Sequence, residues 1–137
     1  MKQAFRVLTV PTKGAGLYEF TGALQEFVRG EKFENGLLTC FVRHTSASLL
    51  IQENADPDVQ SDLRDFFARL GVSGAPYRHT AEGSDEMPSH IRAALTQTSI
   101  GIPFHKGRLV LGTWQGIYLF EHRDAPQRRE VMLHLIG

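Results

Sequence analysis

Apolar and polar positions along this chain change period several times, and each change marks an element. Phe5, Val7 and Thr9 alternate with Arg6, Leu8 and Val10, which predicts a first strand ending at Pro11. Lys13-Gly14-Ala15-Gly16 follows as a turn; no Gly-Lys-Ser/Thr ending makes it a phosphate loop. Thr21 is placed to cap a helix whose apolar face is Leu24, Phe27 and Val28, and Asn35-Gly36 closes it. Leu37–Val42 is a continuous apolar run and reads as a buried strand. After Arg43-His44-Thr45-Ser46-Ala47-Ser48 the apolar run resumes at Leu49-Leu50-Ile51.

Asp56-Pro57 is a strong helix start, with the proline at the first helical position and the aspartate capping it. The face of that helix is Val59, Leu63, Phe66, Phe67 and Leu70, and Gly71 ends it. Periodicity then vanishes from Ser73 to Asp85. A long loop of this kind inside a compact domain points to a working role. A short helix is expected from about Pro88 to Leu95, with His90 in its first turn, and a strand from Thr98 to Phe104. Leu109–Leu111 and Ile117–Phe120 read as two strands around a glycine-flanked insert, Gly112-Thr113-Trp114-Gln115-Gly116, with Glu121-His122-Arg123 at the exit. The Arg128-Arg129 pair reads as loop, and Glu130–Ile136 as a last strand with Val131, Leu133 and Leu135 on one face.

These elements amount to about seven strands and three helices without regular βαβ alternation. The fold expected is α+β, a single domain over residues 1–137, with a mixed, mostly antiparallel sheet covered by the helices. The hairpin Thr98–Arg123 and the last strand are expected to form one contiguous side of it.

Composition narrows the functional classes. Fifteen basic residues balance fifteen acidic ones, so there is no broad electrostatic footprint for nucleic acid. No apolar run is long enough to span a bilayer, and the N-terminus reads directly into a strand, so a cytoplasmic location is expected. The lone cysteine, Cys40, sits in an apolar run and reads as a small buried hydrophobe.

Chemistry-bearing residues gather at element ends. One group is Arg43-His44-Thr45-Ser46 with Glu53-Asn54-Ala55-Asp56; another is Arg78-His79 with Asp85 and His90; the third is Glu121-His122-Arg123. None has the spacing of a zinc knuckle, so any metal site must be assembled from separate elements. His105 and His134 read as solvent-facing.

His44-Thr45-Ser46-Ala47-Ser48-Leu49 leading to Glu53-Asn54-Ala55-Asp56-Pro57 resembles a segment typical of the YjbQ family. So do His79, Gly83, Asp85, Met87-Pro88-Ser89-His90-Ile91 and, above all, Gly112-Thr113-Trp114-Gln115-Gly116-Ile117. Glu86 departs from that pattern, where a smaller Asn or Asp is expected. The resemblance implies a homotrimer, and the long polar loop 73–85, more easily ordered by a neighbour, agrees with it. It also implies a polar pocket that takes a metal or an anion, and a weak thiamine-phosphate synthase activity. That reaction joins a pyrimidine diphosphate to a thiazole phosphate with loss of pyrophosphate.

On this resemblance His44, His79 and His90 are the expected ligands of a divalent cation (zinc, manganese or magnesium), with His122 as the alternative third ligand. Asn54, Gly112, Thr113, Gln115 and Arg123 are the expected binders of a small phosphorylated metabolite, with Asp85 and Glu121 as the catalytic carboxylates. A metal-dependent hydrolase using Asp85 or Glu121 as base, and a non-catalytic trimeric module that binds an anion, are the competing functions.

Overall fold

The computed structural model describes all residues, Met1–Gly137. Two antiparallel sheets share one core. The larger has five strands in the order β1-β8-β3-β5-β6: β1 (Gln3–Thr12), β8 (Gln127–Ile136), β3 (Gly36–Val42), β5 (Ser99–His105) and β6 (Arg108–Leu109). The smaller has the order β2-β7-β4: β2 (Gly16–Glu19), β7 (Gln115–Glu121) and β4 (Ala47–Glu53). The helices are α1 (Thr21–Glu31), α2 (Pro57–Ala68) and α3 (Glu86–Leu95).

Alternation along the strands builds the core. Leu38, Cys40 and Val42 of β3, Ile100, Ile102 and Phe104 of β5, and Val131, Leu133 and Leu135 of β8 meet Leu49 of β4 and Ile117 and Leu119 of β7. α1 adds Leu24, Phe27 and Val28. Its spacing was legible, but its cap was not. Phe20 is the N-cap residue, and the Thr21 hydroxyl donates to Glu19 while accepting the Ile117 N–H. That contact locks α1 to β7 instead of capping a helix.

Four expectations need correction. β3 is not buried on both faces: Leu37 and Phe41 are exposed, because no element covers the outer face of the larger sheet there. All strand pairs are antiparallel, and the hairpin side is split, since β5 joins the larger sheet and β7 the smaller. Gly16, expected as the last residue of a turn, opens a strand, Gly16–Glu19. Arg128 and Arg129 lie inside β8, in the phase that sends Arg129 inward with Val131.

α2 begins as the sequence dictates, with the Asp56 carboxylate accepting the Asp58 N–H at 2.9 Å and Pro57 at the first position. Yet none of its residues is fully buried. It lies on the outer face of the smaller sheet, where Phe67 meets Phe120 edge-on at 5.0 Å and Gln60 donates to the Tyr118 hydroxyl. β7 is therefore covered on both faces, and from Gly116 to Glu121 every residue is buried. Gly71, at φ +66°, lets the chain turn after α2, where a Cβ would lie 3.1 Å from Pro88 Cα and 3.2 Å from Ile91 Cδ1 of α3.

Candidate functional site

The loop 73–85 has no regular structure, as expected, but α3 starts two residues before Pro88, at Glu86. That shift places Glu86 and His90 one turn apart on the same face, and His90 beyond the first turn. Glu86 is buried and sits at the centre of a cluster. Its Oε1 lies 2.6 Å from His79 Nε2 and 3.6 Å from His90 Nε2, while Oε2 accepts the Glu82 N–H at 3.0 Å. The two imidazoles are tilted, 5.4 Å apart. One ligating atom from each of His79, Glu86 and His90 falls within a single 4.8 Å group.

This donor set fits a divalent cation. His90 Nδ1 lies 2.8 Å from the Thr45 carbonyl, which can only accept, so Nδ1 carries the proton and Nε2 presents its lone pair towards Glu86. Burial raises the Glu86 carboxyl, but the Glu82 N–H and the two imidazoles outweigh it and hold the pKa below the usual range. Two imidazoles and a carboxylate are a familiar zinc or manganese set.

Glu86 is the residue that sequence reasoning missed. It departs from the family pattern, yet Glu86 and His90 stand in i, i+4 spacing on any helix that includes both.

His44 does not join the cluster. Its Nε2 accepts the Glu130 N–H at 3.0 Å, and burial and the nearby Arg129 lower its pKa, so it is a neutral acceptor held by β8. It does line, with Thr45, His90, Ala93, Ala94 and Thr98, an open pocket of about 520 Å³. His44 thus faces the same hollow as His90 without sharing its ligand group.

Asp85 is likewise outside the cluster. Its Oδ2 accepts Arg123 Nε at 3.1 Å and the Asp124 N–H at 2.9 Å. Burial pushes its pKa up, but these donors prevail and lower it. Asp85 occupies the N-cap position of α3 without capping it, because its carboxylate is taken by Arg123 and the Asp124 N–H. Arg123 in turn donates to the Glu82 carbonyl, so it braces the loop rather than facing an open anion site.

Glu121 is fully buried. Burial raises its pKa, but Arg129, the Arg123 N–H and the Thr12 hydroxyl hold it ionised. Arg129 donates to both carboxylate oxygens and to Ser46. A carboxylate engaged in this way is a structural counter-ion. His122 is also buried, at the opposite face of β7, with Nε2 2.9 Å from the Ser48 hydroxyl.

The remaining expected binders lie elsewhere. Gln115 Oε1 accepts the Gly112 N–H at 2.7 Å and closes a tight turn, leaving Thr113 and Trp114 exposed at its tip. Trp114, 63 % exposed, is not a core residue. Asn54 donates to Glu19, and Gly116 admits the same carboxylate so closely that a Cβ there would lie 2.7 Å from Glu19 Oε2. The register pairs Ala47 with Glu121 and Glu53 with Gln115, so this tip and the histidine cluster occupy opposite ends of the β4–β7 pair. Six residue steps separate the ends, about 20 Å along the strands.

Comparison with known proteins agrees with this fold. The profile of the family described as "UPF0047 protein YjbQ-like" matches residues 6–137. UPF0047 protein sll1880 of Synechocystis is 53% identical over 99% of this chain and 93% of its own length. UPF0047 protein YjbQ of Escherichia coli O157:H7 is 41% identical, covering 96% of each chain. Among solved structures, a yjbq/upf0047 family protein from Clostridium acetobutylicum superposes with TM-score 0.87 at 32% identity, covering 96% of this chain and 99% of that one. APE1520 from Aeropyrum pernix gives 0.87 at 31% identity, over 100% and 99% of the two chains. The chain therefore belongs to the YjbQ-like UPF0047 family.

Proposed function

We propose that this protein holds a divalent cation on His79, Glu86 and His90 and there binds a phosphorylated metabolite in the pocket lined by His44 and His90. The observation that carries the reading is the buried Glu86 carboxylate set between two imidazoles at the rim of that pocket. Arg123 and Arg129 are both committed to carboxylates, so the positive charge that a diphosphate requires falls to the cation.

The reaction proposed is thiamine-phosphate synthase-like transfer, in which a thiazole nitrogen displaces pyrophosphate from a pyrimidine methylene carbon. The attacking nitrogen bears no proton, so the C–N bond forms and the C–O bond to pyrophosphate breaks without a general base. This agrees with a site whose two candidate bases are engaged: Asp85 by Arg123 and the Asp124 N–H, Glu121 by Arg129 and Thr12. Hydrolysis needs a group to take a proton from water, and neither carboxylate is free to do so. When bound, the cation supplies electrostatic stabilisation of the leaving diphosphate. His44, which lines the pocket, orients the substrate, and the apolar wall of Ala93 and Ala94 receives its ring.

The test is product analysis by mass spectrometry, with pyrimidine diphosphate incubated with and without thiazole phosphate in zinc, manganese or magnesium. Coupled product formed by the wild type and lost in Glu86→Gln supports the reading. Free hydroxymethyl pyrimidine alone assigns a hydrolase, and no turnover with retained metabolite binding assigns a binding module.

A further inference from the structure

Between α2 and the outer face of the smaller sheet lies a second cavity, of about 150 Å³, with no lining residue in common with the pocket beside the histidine cluster. Its walls include Arg64 of α2, Arg92 of α3, and Glu121 and His122 at the end of β7. His122 is 1% exposed, and its Nδ1 is a buried polar atom with no hydrogen-bond partner. A buried group of this kind is costly unless something outside the chain satisfies it.

The tautomer follows from Ser48. That side chain is fully buried, and its hydroxyl has one partner, His122 Nε2 at 2.9 Å. A buried hydroxyl proton needs an acceptor, so Ser48 donates and Nε2 accepts. Nδ1 then carries the imidazole proton and is an unmet donor. His122 lines the cavity, so this unmet N–H donor belongs to the same wall as two guanidinium-bearing residues. Arg92 spends Nε and Nη2 on the carbonyls that end α2, at Ala68, Leu70 and Gly71, while its charge remains beside His122.

Two acidic residues line the same cavity, and neither reverses its sign. Glu121 is neutralised by Arg129 from the other side of the sheet, and both its oxygens are already accepting hydrogen bonds. Asp65, exposed on α2 like its neighbour Arg64, offsets one of the two guanidinium charges and leaves the other in excess. The volume equals roughly five water molecules at about 30 Å³ each, room for one tetrahedral oxyanion and not for a nucleotide.

We infer that this cavity is a binding site for a phosphate-sized oxyanion, held by His122 Nδ1–H, Arg64 and Arg92. The ligand bridges β7, α2 and α3. α2 buries none of its residues completely, so an anion that binds only the assembled form stabilises the attachment of this helix. The site is independent of the metal cluster, since none of His79, Glu86 and His90 lines it.

The probe is inorganic phosphate, added to chelator-treated protein in an anion-poor zwitterionic buffer, with sodium chloride matching the ionic strength of each addition. Histidine-selective nitrogen-15 NMR should show His122 protonated at Nδ1 in the free protein and the Nδ1 resonance shifting on phosphate addition. Calorimetry should show binding that Arg64→Gln weakens roughly tenfold, the loss of one charge-assisted contact. Arg64 is exposed, so this variant keeps the fold. His122→Phe, which retains the ring against Phe120, should abolish binding. Glu86→Gln should bind phosphate here as the wild type does, which separates this site from the metal cluster. A free-protein tautomer protonated at Nε2, a His122 signal indifferent to phosphate, or affinity unchanged in Arg64→Gln would overturn the inference.

Discussion

Arg123 donates Nε to Asp85 Oδ2 across 3.1 Å, and this pair joins the exit of β7 to the first turn of α3. Neither residue reaches the His79–Glu86–His90 group, yet the pair fixes where that group stands. Asp85 precedes Glu86 directly, and Arg123 also holds the Glu82 carbonyl, whose residue donates its N–H to Glu86. Asp85→Asn should therefore lower zinc affinity about 10- to 100-fold, as loss of an orienting partner does, without removing a ligand. Competition with a chromophoric chelator measures it. Wild-type affinity in the variant would mean that the helix start holds itself.

Metal content distinguishes the ligands from their neighbours. Glu86→Gln, His79→Ala and His90→Ala should each lose the ion in elemental analysis at fixed pH, whereas His44→Ala should retain it, because His44 Nε2 is occupied by the Glu130 N–H. Loss in His44→Ala alone would reverse the assignment.

How much of this was legible in the sequence depends on whether local pattern or distant packing decides each residue. Asp56-Pro57, the α1 face and the inward residues of β8 follow from spacing alone, and the structure keeps them. Arg129 obeyed the same two-residue phase as Val131, but charge concealed it. Only the facing carboxylate of Glu121, from another sheet, makes its burial tolerable. Glu121 points inward to Arg129, and because α2 covers the second face of β7, His122 is buried as well. The separation of the Trp114 turn from the histidines is a matter of β4–β7 register, which a one-dimensional motif does not carry.

The Glu121–Arg129 pair should tolerate joint replacement better than single loss. Glu121→Gln alone leaves a buried guanidinium without its carboxylate and should cost about 3–5 kcal/mol in urea unfolding. The double variant Glu121→Gln with Arg129→Met should recover part of that. Equal costs for the single and double variants would show that the charge of Arg129 is satisfied elsewhere.

Acid should destabilise the protein before its carboxylates titrate. Burial, and after it the charge of Arg92, brings the His122 pKa down from 6.5 to about 4. The groups around it are Arg92 from α3, Arg64 and Asp65 from α2, Glu121 on its own strand and Arg129 from β8. The unfolded chain takes up the proton first, so stability is full above about pH 6.5 and falls as pH drops towards 4. The loss is on the order of 3 kcal/mol. His44, also lowered, acts in the same direction. The carboxylates of Asp85, Glu86 and Glu121, lowered in the fold, begin to lose their contribution only at the acid end of this window, as pH falls through their unfolded values of 3.8 for Asp and 4.5 for Glu. Urea melts in phosphate-free buffer should show the slope in the wild type and a shallower one in His122→Phe. Parallel slopes would assign the acid sensitivity to another group.

The last expectation concerns assembly. On the outer face of the larger sheet the register sets Val7 beside Met132 and Met132 beside Phe41, with Phe5 beside His134 and Leu37 beside Ile136. Phe5 is 69% exposed, and Val7, Leu37 and Phe41 are exposed as well. The helices pack on β2, β4, β6 and β7, so this apolar stripe has no cover from its own chain. A contiguous patch of this kind on an isolated subunit marks an interaction surface. A homotrimer, as the family resemblance implies, would bury it. Light scattering should then give a mass near three times 15.3 kDa. Phe41→Asp, a substitution outside the core cluster, should yield a folded species of one subunit's mass. A wild-type protein that scatters as a monomer at micromolar concentration rules the trimer out. A Phe41→Asp variant that stays trimeric moves the interface to another face.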